Sequence, residues 1–185
     1  MDFDPNGPGL QNGNFIGLPF DEDSAQLILF PVPWDVTVSY QDGTADGPEN
    51  ILQASTQLDL MHPEQPTAWK EGIFFMPPNT YWSKRNEELR PQAKTYIDFI
   101  EQGGASSSNK KMQNSLEAIN QSSQNLNNWV MEQTTRLLNK GKLVGLIGGD
   151  HSTPLGYLQA LAKKHSGFGI LHIDAHLDLR NAYEG

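Results

Sequence analysis

Two short apolar runs, LVGLI (143–147) and FGILHI (168–173), are joined by the loop GGDHS (148–152) and a helix-forming stretch from Pro154 to about Lys164. Antiparallel neighbours need only a tight turn between them. A connection long enough to hold a helix is what parallel neighbours require. The pattern therefore predicts a βαβ unit with a right-handed crossover. It commits the chain to an α/β fold whose sheet is mainly parallel.

Earlier elements fit the same architecture. QLILFPVPW (26–34) reads as a strand buried on both faces, interrupted where Pro31 and Pro33 remove donors. The next stretch passes through a Gly-containing loop into a helix. Pro48 suits its first turn, and Ile51, Leu52, Ser55 and Leu58 form its inner face. GIFFM (72–76) is a further strand, and Ala93, Tyr96, Ile97 and Ile100 mark a helix that stops at Gly103 and Gly104, its start obscured by Pro91. After GGASSSNKK (103–111) comes a long polar helix bearing Leu116, Ile119, Leu126, Val130, Leu137 and Leu138. Residues 1–25, rich in Gly, Pro, Asn and acids, read as an extension, which leaves 26–185 as one α/β domain.

Composition excludes several functions. A formal charge of −9 without clustered Lys and Arg argues against nucleic-acid binding and accommodates a cationic small molecule. No run approaches the ~20 apolar residues of a membrane span, and MDFDPNGPGL lacks the basic and apolar parts of a secretory signal, so a cytoplasmic location is expected. With no cysteine, only imidazoles and carboxylates remain as metal ligands.

Those ligand types collect where the fold places binding sites, beyond the carboxyl ends of parallel strands. His151 follows the first run of the βαβ unit, and Asp174, His176 and Asp178 follow the second. Asp offers a hard oxygen able to bridge two cations, and imidazole a borderline nitrogen. Two divalent ions so held lower the pKa of water and support hydrolysis. Asp150 and Ser152 read as capping residues, His172 as a hydrogen-bonded core histidine, and His62 and His165 as surface residues. Trp34, Tyr40, Trp69, Trp82 and Trp129 are read as packing aromatics.

GGDHS followed by DAHLD resembles the ureohydrolase family, which includes arginase, agmatinase, formimidoylglutamase and guanidine hydrolases, and PVPWDVTVSYQDGTADGPENIL is similar to that family's N-terminal strand, substrate-side loop and helix. The resemblance brackets residues 26–180, with 60–125 unassigned. It implies a three-layer α/β/α fold and two divalent ions, Mn²⁺ or, in some members, Ni²⁺. Carried over by position, His151 and Asp178 would hold one ion, His176 the other, and Asp174 both. The family adds a later Asp-x-Asp strand and an acidic residue for the guanidinium. Neither is found before Gly185, so the chain is expected to be an N-terminal, inactive part of a homo-oligomeric enzyme with a small guanidino substrate. Agmatinase-like hydrolysis of a non-peptide C–N bond is the leading expectation, and a guanidine hydrolase the next. A dinuclear metallophosphoesterase fits poorly, because that class places Asp-x-His early and Gly-Asn-His late. A non-catalytic fragment packing into an oligomer is the remaining alternative.

Overall fold

In the computed structural model, which describes residues 3–179, three parallel strands form one sheet. They are β1 (Leu27–Val32), β2 (Ile73–Phe75) and β3 (Leu143–Gly148), in the order β2-β1-β3. β1 pairs with β3 along its whole length, from Leu27 opposite Leu143 to Val32 opposite Gly148. With β2 it pairs only from Leu27 to Leu29. Pro31 lies in this central strand without cost for a geometric reason. Leu27 N and Leu29 O bond toward β2, so Pro31 turns its missing donor to that same side, past the point where β2 has stopped.

The helices are α1 (Gly47–Ser55), α2 (Thr80–Glu101), α3 (Lys110–Asn139) and α4 (Pro154–Lys164). Ile28, Phe30 and Val32 project from one face of β1 into a core with Trp82, Leu89 and Ala93 of α2 and Ile119, Leu126 and Val130 of α3. Tyr157 of α4 packs against the same core. The opposite face carries Phe75, against which Phe15 of a short 3-10 turn stacks, and this turn is tied to α1 by Ile16 N donating to Ser55 Oγ. The result is three layers, as the sequence implies. Asn79 and Asn109 cap α2 and α3 by accepting from the second and third following N–H groups. Pro91 sits inside α2 on its exposed side, where a carbonyl left without a partner can reach water.

Three expectations change. Residues 168–173 form no strand: the segment from Gly167 to Leu179 is irregular, and Leu171 and Ile173 are almost fully exposed. A strand gains its hydrogen bonds only when it reaches a neighbour, and β3 pairs only with β1 among the described residues. The inner face of α1 is also narrower than its periodicity suggests. Ser55 is buried, whereas Ile51 and Leu58 are exposed, the latter beyond the helix end. The residues before β1 are packed rather than free: Leu18 and Ala25 are buried, and Asn12 and Asn14 donate to the carbonyls of Gly17, Leu18 and Phe20.

Glu22 fastens this leading segment to the end of α3. Arg136 Nη2 donates to it at 2.9 Å and Lys140 Nζ at 2.7 Å. The Arg136 guanidinium, with Lys140 adding, holds the Glu22 carboxyl down at about 2 against a burial that would raise it. A depressed folded-state value means stabilisation that is complete above the ordinary value of 4.5 and disappears as pH falls toward about 2. Glu22→Gln is expected to lower unfolding free energy by about 1–2 kcal/mol at pH 7, the half-exposed Arg136 limiting the effect. In denaturant titrations the gap between the two proteins should close as pH is lowered from 4.5; a gap unchanged at pH 3 would show that the ion pair is not its origin.

Candidate metal centre

The chain runs from β1 through α1 to β2 on one side, and from β2 through α2 and α3 to β3 on the other. The loops after β1 and β3 therefore leave toward opposite faces, which opens a crevice between neighbouring strands at their carboxyl ends. Gly149 N donates to Val32 O and Asp150 N to Trp34 O, so the loop after β3 is stitched to the chain leaving β1. Gly149 makes this possible: a Cβ there would stand 1.9 Å from Trp34 O. The stitching delivers His151 to the crevice.

Asp35, buried at the other strand end, organises the facing loop. Its Oδ2 accepts from Gly43 N at 2.8 Å and Ala45 N at 3.1 Å, while Asn86 of α2 bonds both its Oδ1 and its backbone N–H. One turn on, Arg90 Nη1 donates to Val36 O and Val38 O. Burial works to raise the Asp35 carboxyl, but Asn86, the two amides and Arg90 outweigh it and hold it below the usual range. Sequence reading passed over Asp35, Asn86 and Arg90. The signal for the last two was their i, i+4 spacing on a helix that also carries the core residues Trp82 and Leu89. Beside this loop, a cleft of about 240 Å³ is lined by Pro33, Pro48 and Pro78 and by the carboxylates of Asp46, Glu49 and Glu87.

Asp150 caps its own loop, as expected, by accepting from Ser152 N and Oγ. Its Oδ2 is buried without a hydrogen-bond partner among the described residues. Burial pushes the Asp150 carboxyl up, the Ser152 bonds oppose this, and the nearby Asp35 charge adds to the rise.

His151, His172, Asp174 and Asp178 each present one donor atom such that all four lie within 4.8 Å of one another. His151 Nδ1 is 2.6 Å from Asp178 Oδ2 and 3.8 Å from Asp174 Oδ2, and His172 Nε2 is 3.5 Å from Asp174 Oδ2. His172 is thus exposed beside the acids rather than buried in a strand. His176 stands apart from these four. Its backbone N–H donates to Asp174 Oδ1 at 2.8 Å and its Nδ1 lies 3.5 Å from the same oxygen. That N–H holds the Asp174 carboxyl below its usual range against some desolvation, and the His172 and His151 imidazoles add to the effect. Two imidazoles and two carboxylates at these separations suit a borderline or hard divalent ion, whose shell of ~2.1 Å bonds has edges of about 3 Å.

Of the predicted aromatics, Trp34, Trp82 and Trp129 pack together, their ring centroids 5.7–5.9 Å apart in successive pairs. Trp69 meets Phe3, and Tyr40 is almost fully exposed. No described helix is long and apolar enough to cross a membrane.

Comparison with known proteins gives a consistent group. The chain is 27% identical over 163 residues to an agmatinase of Bacillus anthracis, covering 88% of this chain and 44% of that protein. It is 29% identical over 168 residues to an N(1)-aminopropylagmatine ureohydrolase of Thermus thermophilus, covering 90% and 44%. An agmatinase of Bacillus subtilis is 28% identical over 171 residues, covering 92% and 47%. The chain thus spans less than half the length of these relatives. No solved structure matches it significantly. The sequence pattern that defines the arginase family matches residues 25–185, from the start of β1 through both histidine- and aspartate-bearing loops, and the chain belongs to that family.

Proposed function

We propose that this chain contributes the first part of a two-metal centre for hydrolysing a guanidino C–N bond, with agmatine as the preferred substrate and urea as a product. The observation that carries the reading is the two-sided environment of Asp174: Oδ2 faces His151 and His172, while Oδ1 faces His176. A carboxylate so placed suits a bridge between two cations. In the proposed assignment His151, Asp174 and Asp178 hold one ion, and Asp174 and His176 hold the other. The bound pair, Mn²⁺ or Ni²⁺, supplies Lewis acidity and a lowered pKa for water.

The other roles fall to the chain's own groups. Loop 36–46, set by Asp35, Asn86 and Arg90, borders the substrate at the same carboxyl edge. Asp46, Glu49 and Glu87 in the adjoining cleft would attract a cationic substrate through the local field. The names of the relatives favour agmatine or an aminopropyl derivative over arginine. A cytoplasmic homo-oligomer is part of the same reading.

Four side chains shared between two ions leave both spheres short of the six ligands usual for Mn²⁺-type ions, so further carboxylates must complete them. The chain with Mn²⁺ or Ni²⁺ and agmatine is therefore expected to release no urea above the metal-only blank. Residues 25–185 grafted in place of the matching part of the Bacillus subtilis agmatinase should release urea from agmatine in a metal-dependent manner. A well-folded graft inert toward agmatine, guanidine and arginine would refute the reading.

A further inference from the structure

We infer that His172 is a metal ligand, completing with His151, Asp174 and Asp178 a four-donor site that takes up the first divalent ion. The inference rests on the metal reading above but departs from it in which histidine matters first.

Local geometry makes the case. In an extended strand, residues 172, 174, 176 and 178 would share one face, and His176 would be as near to His151 as Asp174 and Asp178 are. The segment is not extended. His176 N–H closes a tight turn on Asp174 Oδ1, and Asp178 adopts φ +50°, a left-handed conformation that Asp tolerates better than most residues. The two bends fold the chain back on itself. Asp178 Oδ2 comes to 2.6 Å from His151 Nδ1 and 3.8 Å from His172 Nε2, and the two imidazole rings lie 5.1 Å apart.

Asp174 Oδ2 is shared by this group, being 3.5 Å from His172 Nε2 and 3.8 Å from His151 Nδ1. Its Oδ1 is already engaged by the N–H of His176, whose side chain is the most exposed of the set. An ion on the Oδ2 side therefore meets two nitrogens and two carboxylates at once. One on the Oδ1 side meets a single imidazole and an oxygen that already accepts a hydrogen bond. The first position has the larger charge and donor count, and donor count and charge set affinity for a divalent ion.

The test uses the 185-residue chain and Mn²⁺ alone, following binding of the first equivalent by electron paramagnetic resonance and counting imidazole nitrogens by electron spin echo modulation. His172→Asn should weaken the first ion by about tenfold or more and reduce the coupled imidazoles from two to one. His176→Asn should leave first-ion affinity within about twofold, with two imidazoles still coupled. Both side chains are exposed, so neither variant should disturb the fold, which circular dichroism checks. If His176→Asn removes an imidazole from the first ion and His172→Asn does not, the inference falls while the two-metal reading stands. No Mn²⁺ binding by the native chain, even at millimolar concentration, overturns the inference, whereas the function reading is judged by the grafted protein.

Discussion

Gly149→Ala is expected to destabilise the protein by about 3 kcal/mol or more, the range of overpacking against atoms that cannot move aside. The added Cβ would stand 1.9 Å from Trp34 O, 2.6 Å from its carbonyl carbon and 2.9 Å from its nitrogen. All three atoms are backbone, so no side-chain rotation relieves the clash. The chain must separate where Gly149 N bonds Val32 O and Asp150 N bonds Trp34 O, and His151 moves with it. For a chain of this length a 3 kcal/mol loss corresponds to a fall in Tm of about 6–12 °C. Gly167→Ala is the control, because its Cβ meets nothing within 4 Å, and its effect should stay within about 0.5 kcal/mol. Equal Tm values for the two variants would remove the close approach of the loops from the account of the site.

Asp174→Ala should have the largest effect on metal binding. Its Oδ2 belongs to the group around His151 and its Oδ1 is the oxygen nearest His176, so one substitution removes charge from both sides. His151→Ala removes a neutral donor from one side only. Metal analysis of the grafted protein after dialysis is expected to find two ions in the parent and fewer in His151→Ala. Asp174→Ala should retain close to none. Two ions retained in Asp174→Ala would refute the bridging role.

What sequence could foresee follows the range of the forces involved. β1 and β3 were legible because continuous apolar runs such as Leu27–Phe30 can be satisfied only between two layers. Pro48 at the start of α1 is set by its own ring, and the periodic faces of α2 and α3 by the helix itself. The stretch 168–173 has the composition of a strand, but a strand is a relation between two segments, and composition describes only one. The same limit applies to the site. His151, Asp174 and Asp178 stand out as ligand types at strand ends, whereas the exchange of His172 for His176 depends on a bend at Asp178 that no residue spacing encodes. Asn86 was illegible because its partner, Asp35, lies 51 positions away.

Pro31 gives the sheet a fixed asymmetry. An imide nitrogen cannot donate, so lengthening β2 alongside it would bury an acceptor on β2 with nothing to bond. The ladder on that side is confined to three residue pairs while the other side has six. Above the short side lies a shelf bounded by Pro33 and Pro78, and it is there that the acid-lined cleft opens. The volume available to a ligand is thus protected by a hydrogen bond that cannot form. A relative with an ordinary amino acid at this position would be free to extend β2 and fill the shelf with backbone, so the ring of a proline on one strand governs how much room a guest has above the next.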